Sequence, residues 1–216
     1  YIQVSGVYAA GRLDADSEGL LLLTDDGRLQ SRIADPRHKL PKTYWAQVEG
    51  EPTDAALALL QRGVDLGDFV TLPCEARRIA EPDGLWPRDP PIRSRMHIPT
   101  AWLEIVLREG KNREIRRMLA KLDHKVMRLK RVAIGPLKLD RLRKGKSRPL
   151  KPDEVDLLRQ SIERRPQSQK PVRPEPLGFD EKPGRPKAAR IPGERPKGPR
   201  PSGAKPAGAR PKGPRP

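Results

Sequence analysis

The sequence predicts an α+β domain followed by a disordered tail, and three observations carry that prediction. Residues 42–50 have the β-branched and aromatic make-up of a strand, and residues 102–108 alternate as a half-buried strand does. Residues 55–62 and 112–122 place apolar side chains three and four apart, the spacing of helices with one buried side. Beyond residue 163 large apolar residues almost vanish, and proline and cations take over.

The chain has 216 residues, 45 Lys and Arg against 28 Asp and Glu, and a net charge of +17. That charge is uneven: residues 164–216 hold fifteen cations against four anions, leaving +11 on the tail and +6 on residues 1–163. The tail also holds fourteen of the 26 prolines, too little apolar surface to offset chain entropy, and repeats its own Arg-Pro-Lys-Gly-Pro-Arg-Pro at 195–201 and 210–216. It is expected to be disordered, and either to attract RNA phosphates without sequence preference or to serve as an inert solubilising tail. Residues 1–163 are long enough for one domain with a real core. Cys74 is the single cysteine, which excludes an internal disulfide and any multi-cysteine metal site, and His38, His97 and His124 lack ligand spacing. No apolar run approaches the roughly 18 residues that span a bilayer, and no signal-peptide pattern opens the chain, so a cytoplasmic protein is expected. The first residue is Tyr1 rather than Met, so an incomplete N-terminus is expected.

In order, residues 7–10 read as a strand, and residues 19–24 as a short buried strand closed by Asp25-Asp26-Gly27. Residues 28–34 form a short helix with Leu29 and Ile33 four apart, stopping at Asp35-Pro36. After the strand at 42–50, Thr53 caps a helix that buries Leu57, Leu59 and Leu60. Residues 64–79 look like a hairpin or a pair of short strands. Five prolines between 81 and 99 forbid regular structure, and Trp86 is the expected anchor of an ordered insertion loop. The strand at 102–108 turns at Glu109-Gly110-Lys111-Asn112 into a helix carrying Ile115, Met118, Leu119 and Leu122 on one side and Arg113, Arg116 and Arg117 on the other. A basic strand at 125–134, turns rich in Lys and Arg at 137–150 and a helix opened by Pro152-Asp153-Glu154 complete the domain.

The chemistry concentrates in the polar loop Gly11-Arg12-Leu13-Asp14-Ala15-Asp16-Ser17-Glu18-Gly19-Leu20, set between two core strands. Rigid elements on both sides give its carboxylates fixed directions, which catalysis requires; an ordinary charged surface turn is the competing reading. Together with Lys42-Thr43-Tyr44 and Glu109-Gly110-Lys111-Asn112-Arg113-Glu114-Ile115-Arg116-Arg117-Met118, this loop resembles the bacterial ribosomal RNA pseudouridine synthases, in the branch that modifies single uridines. Residues 129–135, with Leu139 and Leu142, extend the resemblance to about residue 150. It excludes the tail, and the family's N-terminal S4-type RNA-binding domain and opening Lys-Pro strand have no counterpart here.

The resemblance implies the pseudouridine synthase fold, a mixed, mainly antiparallel central sheet flanked by helices, with the active cleft across its middle. It implies that Asp14 is the catalytic aspartate, Arg116 its ion-pair partner and Tyr44 the ring against the extruded uracil. Asp16 is a supporting loop residue, Arg12 fills the gap left by the flipped nucleotide, and Ile115 packs beneath the site. Lys42, Arg113 and Arg117 are candidates for contact with RNA. An isomerisation needs no NAD, ATP or metal, and the chain contains no Walker loop, dinucleotide fingerprint or zinc spacing. The stretch from Leu85 to Arg93 with Ile98-Pro99-Thr100 resembles a large-subunit member that also lacks the S4 domain and acts on 23S ribosomal RNA near the peptidyl-transferase centre. The expected partner is therefore ribosomal RNA of the large subunit or its assembly intermediate, met by a monomer away from membranes. Two other readings stand beside this one. A non-catalytic ribosome-assembly factor would leave Asp14 in solvent away from Arg116, and a glycosidase would pair Asp14 with Asp16 or Glu18 across a sugar.

Overall fold

The computed structural model describes residues 2–87 and 98–163. From the N-terminus these form β1 (Tyr8–Ala9), β2 (Glu18–Gly19), β3 (Leu23–Thr24), α1 (Gly27–Ala34), β4 (Lys42–Glu49), α2 (Asp54–Arg62) and β5 (Glu75–Ile79). They continue with β6 (Thr100–Leu107), α3 (Glu114–Lys121), β7 (Val126–Ile134), β8 (Leu137–Lys138) and α4 (Pro152–Glu163). The central sheet has the order β2-β7-β4-β6-β5, with β8 paired to β7. Its ladders are antiparallel apart from β2 on β7, so the sheet is mixed and mainly antiparallel.

Strand periodicity sorts side chains to the two faces. On one face Ala46 and Val48 of β4, Leu103 and Ile105 of β6, and Leu129 of β7 meet Leu57 and Leu60 of α2 and Ile115, Met118 and Leu119 of α3 in one buried cluster. On the other face the register lines up Arg77, Glu104, Trp45, Lys130 and Glu18 in a row across five strands. A second cluster joins Ile33 of α1, Leu158 and Ile162 of α4, and Leu20, Leu22, Leu40, Ile134 and Leu137. The helix starts are locally encoded: the Asp26 carboxylate accepts the N–H groups of Arg28 and Leu29, and the Thr53 hydroxyl accepts that of Ala56.

Two sequence expectations are corrected. Residues 19–24 are not one buried strand, because the chain changes partner midway. Leu20 N–H donates to the Arg131 carbonyl at 2.8 Å, but by Leu22 the carbonyl accepts from Ala10 N–H at 2.9 Å, and Leu21 between them is 38% exposed. Residues 64–79 do not pair as a hairpin. They hold one bridge, Asp65 to Val70, and then the edge strand β5, whose partner β6 lies further along the chain. The basic strand expected at 125–134 is β7, and its cations are buried: Arg128, Lys130 and Arg131 are 6%, 4% and 4% exposed. The expectations for the tail, for residues 88–97 of the insertion loop and for His97 fall outside the described residues. Among the described residues no helix is long and apolar enough to cross a membrane.

Candidate active site

The loop between β1 and β2 folds back on itself where Ser17 N–H donates to the Asp14 carbonyl at 2.9 Å. This tight turn leaves Asp14 half-buried on the wall of a cavity of about 230 Å³. Arg12 lines the same cavity from an exposed position on the loop. Lys42 and Tyr44 enter it from alternate positions of β4, and Arg113, Glu114 and Ile115 from the start of α3. Leu129 and Arg131, also two apart, enter from β7, and the register sets Arg131 directly beside Tyr44. Burial raises the pKa of the Tyr44 hydroxyl and lowers that of the Lys42 ammonium, which the nearby Arg131 lowers further.

The ion pair expected between Asp14 and Arg116 is made by Asp16 instead. Arg116 Nη2 donates to the Asp16 carbonyl at 2.7 Å, its Nε lies 3.3 Å from Asp16 Oδ2, and its Nη1 donates to the Val126 carbonyl at 3.1 Å. Arg113 grips the same carboxylate with both ends of its fork, at 3.0 and 2.8 Å. Its bond to Asp16 is the main reason that carboxyl sits below the usual aspartate range. The spacing explains the change of partner. Asp14 opens the turn that Ser17 closes and Asp16 stands within it, so the helix arginines reach the second while the first faces the cavity. Arg117 does not line the cavity. It is paired with Asp68 and stands 5.2 Å from the centre of the Phe69 ring, over which Lys111 also lies at 3.8 Å.

Two further features stand at the cavity. Glu114, 3% exposed, accepts the Lys111 N–H at 3.0 Å, while Glu109, 7% exposed, accepts the Leu72 N–H at 2.5 Å. Burial, with the neighbouring Glu109 carboxyl, pushes the Glu114 pKa up to about 8. Arg131 Nε donates to the Leu20 carbonyl at 2.8 Å and Nη1 to the Arg12 carbonyl at 3.3 Å, so one guanidinium ties β7 to both ends of the loop. Gly19 permits this closeness: with φ +115, a Cβ there would lie 2.1 Å from the Arg131 carbonyl oxygen.

Behind the loop, Trp86 Nε1 donates to Glu18 Oε2 at 2.5 Å, Arg128 pairs with the other oxygen of Glu18, and Arg128 Nη2 donates to the Trp86 carbonyl at 2.8 Å. Lys130 sits 3.7 Å above the Trp86 ring. The indole thereby fastens residue 86 to the strand that carries Arg131.

Glu114 and Arg131 were not singled out from sequence. For Arg131 a signal existed, because in a strand with cations at 128, 130 and 131 the two faces cannot both be solvated. For Glu114 none did, since acid in the first turn of a helix is ordinary.

The family model for RNA pseudouridylate synthase matches residues 3–121. The chain is 56% identical over 142 residues to ribosomal large subunit pseudouridine synthase E of Xanthomonas campestris pv. campestris, covering 66% of this chain and 76% of that one. It is 52% identical over 145 residues to the synthase E of Vibrio vulnificus, covering 67% of this chain and 62% of that one. To ribosomal large subunit pseudouridine synthase B of Bacillus subtilis it is 35% identical over 153 residues, covering 71% and 57%. A crystal structure of a pseudouridylate synthase superposes with a TM-score of 0.60 at 30% identity, covering 71% of this chain and 60% of that one. The motif loop, the sheet that carries it and these similarities agree that this chain belongs to the RNA pseudouridylate synthase family, isomerases that turn uridine into pseudouridine.

Proposed function

We propose that this chain isomerises a uridine of large-subunit ribosomal RNA, in 23S RNA near the peptidyl-transferase centre, without a cofactor and with Asp14 acting at the ribose. The observation that carries this reading is the half-buried Asp14 carboxylate on the wall of a cavity that Tyr44, Lys42 and the buried Arg131 also line. The large-subunit assignment is supported by the names of the relatives, and the 23S site by the resemblance of Leu85 to Arg93 with Ile98-Pro99-Thr100.

The reaction breaks the bond between uracil N1 and ribose C1′, turns the base and rejoins it through C5. A carboxylate at the sugar serves this in one of three ways: attack on C1′, electrostatic support of positive charge there, or removal of a C2′ proton. Tyr44 offers the detached base an aromatic face that imposes no single hydrogen-bond pattern while it turns. Ile115 packs under the site, Arg12 enters the space vacated by the extruded nucleotide, and Lys42 neutralises the cavity's negative charge. Arg113 and Arg116 act through Asp16, holding the loop so that Asp14 keeps its direction. Atoms are conserved throughout, so the reaction consumes no oxidant and no nucleotide.

The test is Asp14→Asn. The variant folds and binds RNA, but its rate of pseudouridine formation on 23S transcripts, assayed with chelator and without nucleotides, falls by about 10²-fold to 10⁴-fold or beyond detection. Full turnover by that variant would falsify the role of Asp14. Mapping pseudouridines in ribosomal RNA from a strain lacking the protein identifies the substrate position.

A further inference from the structure

The isomerisation leaves one requirement that Asp14 cannot meet. When the N1–C1′ bond breaks, its electron pair stays with the base, and the uracil anion spreads that charge over N1, O2 and O4. An anionic carboxylate at the sugar repels such a charge, so a donor of opposite sign must face the base.

Arg131 has that position. It is 4% exposed, lines the cavity with Asp14 and Lys42, and is the cross-strand neighbour of Tyr44. Its Nε and Nη1 are spent on the Leu20 and Arg12 carbonyls, which fixes the plane of the guanidinium. Nη2 is buried and has no acceptor in ordinary hydrogen-bond geometry among the described residues, although the guanidinium lies close enough to the Tyr44 hydroxyl to oppose the rise that burial gives its pKa. A buried cationic donor without an acceptor is costly to the fold, and such a group is kept where a ligand supplies the acceptor. Lys42, a half-buried cation of the cavity, donates to the Leu40 carbonyl at 3.2 Å.

We infer that Arg131 is a substrate-binding group of the reaction, whose free Nη2 donates to a pyrimidine carbonyl oxygen and takes up the negative charge that the uracil acquires as it leaves C1′. The inference rests on the reading of the cavity as the uracil site. Electrons and atoms balance within it: the N1–C1′ pair moves onto the base, returns through C5 to form the new C–C bond, and the C5 proton is lost as N1 gains one. The guanidinium exchanges no proton in any step. Held by two carbonyls, it has no reorganisation to undergo as the charge forms.

The test is a cross between protein and substrate. A synthetic copy of the mapped RNA segment carries uridine, 2-thiouridine or 4-thiouridine at the target, sulfur being the weaker acceptor, and single-turnover rates are measured for wild type, Arg131→Gln and Arg131→Lys. Wild type slows by about 10-fold on one of the two thio substrates. Arg131→Gln slows by about 10²-fold on uridine and no longer distinguishes that thio substrate from uridine. Arg131→Lys, which keeps the charge and loses the fork, falls between them. Wild-type turnover of all three RNAs at equal rates overturns the inference without requiring any variant to fold, as does a well-folded Arg131→Gln that still discriminates. Activity in Asp14→Asn would count against the role of Asp14 alone and leave the Arg131 coupling standing.

Discussion

Replacing Glu114 by Gln should make the protein more stable, and by an amount that grows with pH. The buried Glu114 carboxyl accepts the Lys111 N–H through Oε2, and the proton it retains is shared in a side-chain hydrogen bond with Glu109. An unfolded Glu loses its proton near 4.5, while burial and Glu109 hold this one until about 8. Between those values the folded state binds the extra proton, so stability is full below 4.5, falls as pH rises, and levels off above about 8. At about 1.4 kcal/mol per pH unit the ceiling on that loss is about 5 kcal/mol. Relaxation of the acidic pair toward the cavity reduces it to about 2–4 kcal/mol. Gln preserves the acceptor for Lys111, offers Glu109 a donor and has no proton to release. Cys74, its thiol pushed up to about 12 by burial, stays neutral across this range. Urea unfolding of both proteins from about pH 5 to about pH 9 should give curves that nearly coincide at the acid end and diverge by about 2–4 kcal/mol at the alkaline end. A difference independent of pH would refute the assignment of a retained proton to Glu114.

Two other outcomes follow from the geometry. Gly19→Ala forces a Cβ to within 2.1 Å of the Arg131 carbonyl at φ +115, which costs about 3 kcal/mol or more and lowers Tm by roughly 6–12 °C, whereas Gly27→Ala, with nothing within 4 Å, leaves Tm unchanged or slightly raised. Arg117→Ala should leave the salt dependence of RNA binding unchanged, since its charge is already given to Asp68, while Arg12→Ala lowers the slope of log K against log salt by about 1. Filter binding across a salt series reads both.

The helices and long strands were legible because each is encoded locally. Thr53 announces α2, the spacing of Ile115, Met118 and Leu119 announces α3, and the alternation of residues 102–108 announces β6. What failed to show were features set by a distant partner. Residues 19–24 are apolar enough for a strand, yet they divide between β7 and β1, because pairing is chosen by the sheet rather than by the segment. The arginines of α3 look solvent-facing on a helical wheel, yet Arg116 is drawn inward by the carbonyl and carboxylate of Asp16, 100 residues away.

By itself the sequence determined the α+β class, the loop that bears the acids and the family to which the three motifs point, since short-range spacing and residue type carry that information. Only the tertiary structure decided which carboxylate the helix arginines hold, which is left facing the cavity, and that Arg131 is buried beside Tyr44. Asp14 and Asp16 are chemically identical and two residues apart, so composition cannot separate them. Their roles diverge because the turn at Ser17 and the docking of α3 against β7 offer one an arginine fork and the other an open cavity.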